Sequence, residues 1–356
     1  KQKNYMTKKN CLFIHIGSHK TGSTSLQHFL YNQQDHLSKN DFTYFSKNAL
    51  GFNERDKCSN SWIKVNKKKL LNENGVEIKK MQLLCKKLFS SNHQNVILSS
   101  ENFSWIFHKK PLRSFSIELK KYFYKIKIII YLRRQDEMAV SFLQECSKKP
   151  NLPESRIFEF TSRAIPKINT SQYFYFNYYE KLLLWRNTFG KKNLIIRCYD
   201  KKTLNGGEVI TDFLSALDIP PISSEKELLN KSNGFEATKV GHLLNESIKD
   251  KKLNKCIRKY LSHNGNFLPS KKEAKNYLHF YKDSNQKLYQ EYKITFSNKF
   301  TRYPEKGNDK WTDESANRAI TNILQAINHY NDNSYLAKPI WNFIKIIKNL
   351  FKLNQS

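Results

Sequence analysis

With 356 residues, a 39% hydrophobic content, 24 Phe and 19 Tyr, the chain can bury a sizeable core, which excludes a disordered polypeptide. Lys and Arg outnumber Asp and Glu by 62 to 31, a net charge of +31. That balance favours an anionic partner (a nucleotide, an acidic glycan, a membrane surface or nucleic acid) without choosing among them. Part of it reads equally well as compositional bias, since many lysines stand singly among polar residues. Cys11, Cys58, Cys85, Cys146, Cys198 and Cys256 are widely spaced, with no CxxC pair and no metal-ligand spacing, so buried free thiols are expected. No apolar run reaches the roughly 18 residues needed to span a bilayer. The start, Lys1-Gln-Lys-Asn, has no h-region and no initiator Met, and secretion is not expected.

A short apolar run from Leu12 to Ile16 predicts a strand over about 11–17, followed by a helix over 23–37 in which Leu26, Phe29 and Leu30 recur at helical spacing. A short strand is expected at 42–45. Residues 50–74 read as a polar surface excursion. Ile78, Met81, Leu84, Cys85 and Leu88 share one helical face, which predicts a helix over 76–90. Next come a buried strand that ends in a polar turn, together spanning 95–103, a helix at 113–123, and a continuous apolar strand at 126–132 suited to the middle of a parallel sheet. A helix at 136–148 follows. Pro150, Pro153 and Pro166 break the stretch 150–171 into loop. A helix at 178–189 stopped by Gly190, a strand at 194–198 and a helix at 207–217 complete the alternation. The remainder to about 331 is helical with polar interruptions. Strands alternating with helices predict an α/β fold, with a mostly parallel central sheet flanked by helices and a helix-rich C-terminal half. One elaborated domain over 10–333 is expected, its sheet core at about 11–218 and its helical part at 219–333, with 334–356 apart as a basic amphipathic helix.

The loop after the first strand reads Gly17-Ser-His-Lys-Thr-Gly22-Ser-Thr. It keeps the glycine spacing of a nucleotide-triphosphate P-loop, but Ser23 stands where the P-loop lysine belongs, and the lysine sits two residues before the second glycine, as Lys20. Strand, glycine-bounded loop and helix together aim backbone N–H groups at a phosphate. The displaced lysine points to a ligand other than hydrolysable Mg-ATP; the plain alternative is a glycine turn closing a βα unit. Arg133 stands at the carboxyl end of the predicted strand 126–132, and Ser141 about two turns into the next helix. Ligands of open α/β sheets bind outside the carboxyl ends of the strands. An arginine fork and a serine hydroxyl there suit a second phosphate, against the default of a salt bridge and a surface serine.

These stretches resemble a known family. His15-Ile-Gly-Ser-His-Lys-Thr-Gly-Ser-Thr-Ser-Leu-Gln27 looks like the 5′-phosphosulfate loop of sulfotransferases that use 3′-phosphoadenosine 5′-phosphosulfate (PAPS), whose fold is P-loop NTPase-like. Arg133 with Ser141 looks like their 3′-phosphate motif. A weaker likeness runs through Trp185, Phe189-Gly190 and Ile195-Ile-Arg-Cys-Tyr-Asp200, and Phe300-Thr-Arg-Tyr-Pro304 is similar to bacterial members. The resemblance implies that Lys20 contacts the 5′-phosphate and bridging oxygen, that Thr21, Gly22, Ser23, Thr24 and Ser25 cradle the phosphosulfate, and that Arg133 and Ser141 hold the 3′-phosphate. It implies PAPS as co-substrate, 3′,5′-bisphosphoadenosine (PAP) as product, and no metal. Sulfuryl transfer leaves growing charge on the bridging oxygen, and a lysine aimed there stabilises the transition state above the ground state.

An acceptor hydroxyl needs a base. Glu101, after the strand Val96–Leu98, stands where cytosolic members carry a histidine, and glycan-acting members use glutamate; His19, beside Lys20, is the second candidate. His15 is expected on the strand, facing the core. At the other end, the stretch 339–353 projects Ile340, Phe343, Ile344, Ile346, Ile347, Leu350, Phe351 and Leu353 on one half and Lys345, Lys348 and Lys352 on the other. A basic amphipathic helix reads as binding an anionic membrane surface or as docked on its own domain. The reading at this level is a PAPS-dependent sulfotransferase acting on a hydroxyl of a glycan or glycolipid. It is expected in the cytoplasm, peripheral on the inner face of the membrane, with no nucleic-acid partner. The alternatives are a P-loop kinase or NTPase using Mg-ATP, and a non-enzymatic basic protein that binds membrane or nucleic acid.

Overall fold

The apolar runs become the strands of one parallel sheet. A computed structural model describes residues 9–46, 59–66, 69–73, 75–91, 93–148, 163–222 and 233–332. The predicted C-terminal helix at 339–353, and Cys58, lie outside them. Five strands, β1 (Lys9–His15), β2 (Phe42–Phe45), β5 (Asn95–Ser99), β6 (Phe123–Leu132) and β7 (Leu194–Cys198), lie in the order β2-β5-β1-β6-β7. Every neighbouring pair is parallel. The remaining two, β3 (Ile63–Val65) and β4 (Val76–Ile78), form a separate antiparallel pair. The expected α/β class, with a parallel central sheet flanked by helices and a helix-rich C-terminal half, is what the chain forms.

Ile128, Ile129, Ile130, Tyr131 and Leu132 of β6 are fully buried, because a strand covered by helices on both faces has no solvent side. Each such Ile contributes about 1.5–3 kcal/mol relative to exposure. On one face, α1 (Ser23–Asn32) supplies Leu26, Phe29 and Leu30, and α8 (Val209–Ala216) supplies Phe213 and Leu214, against Ile97, Ile129 and Tyr131. Tyr131 Oη donates to Asp212 Oδ2 at 2.8 Å and ties α8 to the sheet. On the other face, α4 (Lys109–Leu119) packs on α7 (Tyr178–Phe189), where Phe103 stacks on Phe115 at 5.8 Å and meets Trp185 edge-on at 6.0 Å.

Several predicted boundaries shift for identifiable reasons. The predicted helix at 23–37 breaks at Gln33 into α1 and α2 (Gln34–Lys39). The predicted helix at 76–90 begins only with α3 (Met81–Phe89), because Val76 and Ile78 are spent on β4. Part of the expected polar excursion is also packed: Trp62 and Ile63 are at most 1% exposed. The helix expected at 113–123 is α4, which starts at Lys109 with Pro111 in its first turn, where a missing N–H costs nothing. Within 95–103 the strand takes Asn95–Ser99 and ends in the expected polar turn, where Ser100 Oγ accepts from the Asn102 N–H. Cys11 and Cys85 are buried free thiols, and burial pushes the Cys85 thiol up to about 12.

The contacts divide the chain into two compact units. The first, residues 1–134, 170–229 and 281–297, holds the sheet just described, together with α6 (Thr170–Phe176) and α12 (Lys282–Tyr292). The second, residues 135–169, 230–280 and 298–356, contains α5 (Gln135–Lys148), α9 (Phe235–Ser247), α10 (Lys251–Tyr260), α11 (Lys271–His279) and α13 (Asp313–Asp332). Its core is formed by Val240, Leu244, Leu253, Ile257, Ile323 and Ala326. Arg258 Nη2 donates to the Gly241 carbonyl at 3.1 Å and to Asn245 Oδ1 at 2.5 Å, locking α10 on α9. Among the described residues, no helix is long and apolar enough to cross a membrane.

Candidate phosphate-binding site

In a parallel sheet all carboxyl ends lie at one edge, and four of them converge here. The loop 16–22 follows β1, Glu101 follows β5, Arg133 follows β6 and Tyr199 follows β7. β1 lies at the centre, with chain continuing to β2 and β5 on one side and to β6 and β7 on the other. This is the switch point at which such sheets bind ligands.

The loop holds its shape by bonding to itself and to its neighbours. The Ser18 N–H donates to the Tyr131 carbonyl at 3.1 Å, and the Tyr131 N–H donates to the Gly17 carbonyl at 2.9 Å. Thr21 Oγ1 and Ser23 Oγ both donate to the Ser18 carbonyl, at 2.5 and 3.3 Å. Ser104 Oγ donates to the Ile16 carbonyl at 2.6 Å. Gly22 has φ 80°, and a Cβ there would come within 2.8 Å of Val209 Cγ1. Gly17, at φ 91°, would place a Cβ 2.9 Å from Ser104 Oγ. Thr21 and Ser23 are therefore buried braces of the loop, whereas Thr24 is exposed and Ser25 half-buried. The first turn of α1 has neither a side-chain cap nor an acidic residue, so its leading N–H groups stay open to an anion.

Lys20 stands at φ 59°, the left-handed region, at the crest of the loop, and its side chain is half-buried. Arg133 Nη1 donates to the Lys20 carbonyl at 3.1 Å, while its guanidinium lies 5.7 Å from the Tyr199 ring centre. The Arg133 carbonyl in turn accepts from Tyr178 Oη at 2.7 Å. The loop and Arg133 are thus one hydrogen-bonded assembly. Glu101 opens a 3-10 turn (Glu101–Trp105), half-buried, with its Cα 3.5 Å from where a Gly17 Cβ would be.

His19, the second candidate base, is held inside the fold. It is 6% exposed, packs on Trp105 at 4.9 Å, and its Nδ1 lies 2.8 Å from Tyr175 Oη. Its backbone N–H also donates to Tyr175 Oη, at 3.4 Å. Nδ1 and Oη share one hydrogen bond whose donor depends on the imidazole tautomer. Desolvation, then the Lys181 and Lys20 charges, lower its pKa to about 3. Through Tyr175 this imidazole anchors the loop, and burial beside two cations disfavours its charged form. His15 faces the core as expected, 1% exposed, with Nδ1 2.8 Å from Ser99 Oγ.

Lys20, Thr21–Ser25, His19, Glu101 and Arg133 come together at one edge of one unit; Ser141 lies on α5 in the other. Tyr175 carries no signal in the sequence, and Tyr199 enters there only within the quoted stretch Ile195–Asp200. Tyr199 carried a signal, since it directly follows a predicted strand, as Arg133 does.

No family model matches the chain. An uncharacterized protein of Archaeoglobus fulgidus is 31% identical over 176 residues, covering 47% of this chain and 45% of that protein. The chain thus spans about half the length of the curated relative it matches. Among solved structures, a sulfotransferase from Alicyclobacillus acidocaldarius is similar over 63% of this chain and 88% of its own, with a TM-score of 0.37 and 15% identity. That likeness is too slight to carry function.

Proposed function

We propose that the chain is a sulfotransferase that moves a sulfuryl group from PAPS to a hydroxyl of a glycan or glycolipid. The observation that carries this reading is the Lys20 loop bonded to Arg133 across the carboxyl edge of the sheet. Lys20 at the crest replaces the P-loop lysine, and the hydroxyl of Ser23 is turned inward to the Ser18 carbonyl. In an NTPase loop that position carries the lysine, whose charge a serine cannot supply. The open α1 N-terminus and the two cations suit a phosphosulfate, so the residues present fit the donor.

The donor supplies an activated sulfuryl group. The acceptor oxygen bonds to sulfur as the bond from sulfur to the bridging oxygen breaks, and the bisphosphate leaves. On this reading Lys20 stabilises the charge left on that oxygen, and Arg133 holds phosphate while bracing the loop. Glu101, beside Gly17, takes the acceptor proton. Replacing Glu101 by Gln is expected to lower the transfer rate about a hundredfold and to leave PAP affinity within twofold. Equal losses in rate and affinity would make Glu101 structural.

Thermal denaturation tests the donor. PAP is expected to raise the melting temperature, and at a concentration a hundredfold above Kd the gain is about 2.7 kcal/mol. ATP with Mg²⁺ and a DNA oligonucleotide are expected to give less. Stabilisation only by ATP with Mg²⁺ would turn the reading to a kinase, and only by DNA to a binding protein.

A further inference from the structure

Lys181 lies in the first turn of α7 and is 4% exposed. Its Nζ is buried without a hydrogen-bond partner among the described residues. It sits 3.9 Å from the centre of the Tyr175 ring and 5.9 Å from that of Tyr178. Burying an ammonium is costly and is ordinarily offset by a carboxylate. Here desolvation alone acts, and lowers its pKa to about 7. A lysine in this position loses hydration without gaining an ion pair, while the ring it rests on bonds the phosphate loop. Tyr175 Oη contacts His19 through both the ring nitrogen and the backbone N–H. The Lys181 charge also pushes the His19 pKa down.

Of the charged groups on elements packed against α7, several are engaged elsewhere. Glu118 of α4 pairs with Lys121, and Glu291 of α12 with Arg186 and Lys191. Lys287 of α12 lies over the Tyr179 ring, and Arg133, after β6, bonds the Lys20 carbonyl. Glu101 stands beside Gly17 and is not among the groups that shift Lys181. The basic side chains of Lys20, Arg133 and Lys181 thus gather around one loop.

We propose that Lys181 is a positioning residue for the anionic ligand of this loop: set behind Tyr175 and His19, its amine takes up a proton as a phosphate group arrives, so that ligand binding and proton uptake are coupled. The inference rests on the reading that the loop binds nucleotide phosphates. The proton comes from solvent and converts the neutral amine to an ammonium that the ligand's charge then stabilises.

Calorimetric titration of the full chain with PAP tests this, at pH 7.0 and 8.5 in two buffers of different ionisation enthalpy. In this window the phosphates, whose second pKa is about 6, are already dianionic. At pH 8.5 close to one proton is expected to be taken up per PAP bound, and affinity is expected to fall about tenfold between the two pH values. Lys181→Arg, whose charge is permanent, is expected to bind PAP without proton uptake and with no pH response. Lys181→Met is expected to bind more weakly than wild type at pH 7.0, again without uptake. Binding to the wild type with no proton uptake overturns the coupling and leaves the donor reading intact. So does a Lys181→Met protein that matches the wild type in affinity and uptake. Failure of the wild type to bind PAP at either pH removes the donor reading and this inference together.

Discussion

Replacing Lys20 by alanine is expected to lower sulfuryl transfer about a thousandfold, equivalent to about 4 kcal/mol of transition-state stabilisation. The fold should survive, because the loop grips Lys20 by its backbone. Its carbonyl accepts from Arg133 at 3.1 Å, and that contact needs no side chain. The φ of 59° is no worse for alanine than for lysine. The loss should therefore fall on kcat, with an unchanged melting temperature and PAP affinity reduced by less than tenfold. Turnover of radiolabelled donor with matched wild type is the measurement. Near-normal turnover would refute the role given to Lys20.

Gly22→Ala is expected to act in the opposite way, on structure first. An L-residue at φ 80° costs about 1–2 kcal/mol. Its Cβ would also press on Val209 Cγ1 at 2.8 Å, and overpacking of this kind costs about 1–3 kcal/mol more. The sum is about 3 kcal/mol, read as a fall of several degrees in melting temperature. Because Gly22 is also the residue from which α1 springs, the open N–H groups should turn away from the ligand and PAP binding should fall with stability. A variant that melts like the wild type and binds PAP normally would show that the loop has a second acceptable geometry.

Much of this arrangement was legible because a parallel sheet writes its core as unbroken apolar runs. β6 and β7 stand where Ile126–Leu132 and Leu194–Cys198 placed them, and α7 ends at Gly190, whose φ of 91° only glycine takes freely. The strand-end rule then located Lys20, Glu101 and Arg133 at one edge. β4 was lost because its three residues are too short for an alternation to outweigh the helical spacing of Ile78 with Met81 and Leu84. The Tyr175–His19 contact joins residues 156 positions apart, which no local pattern encodes. Lys181 was passed over for a physical reason as well. A lysine in a helix reads as solvated, and only the surrounding Tyr175 and Tyr178 rings reveal that it is not.

The central position of β1 also bears on how the protein reaches its native state. Among the described strands β1 comes first, yet it pairs with β5 and β6, and its nearest partner across the sheet, Ser99 opposite His15, is 84 residues away. Closing such a span loses chain entropy before any contact repays it, which makes folding slow. The loop cannot set until Tyr131 offers its carbonyl to Ser18 and its N–H to Gly17. On the ribosome, the anion site therefore stays unformed until β6 has emerged.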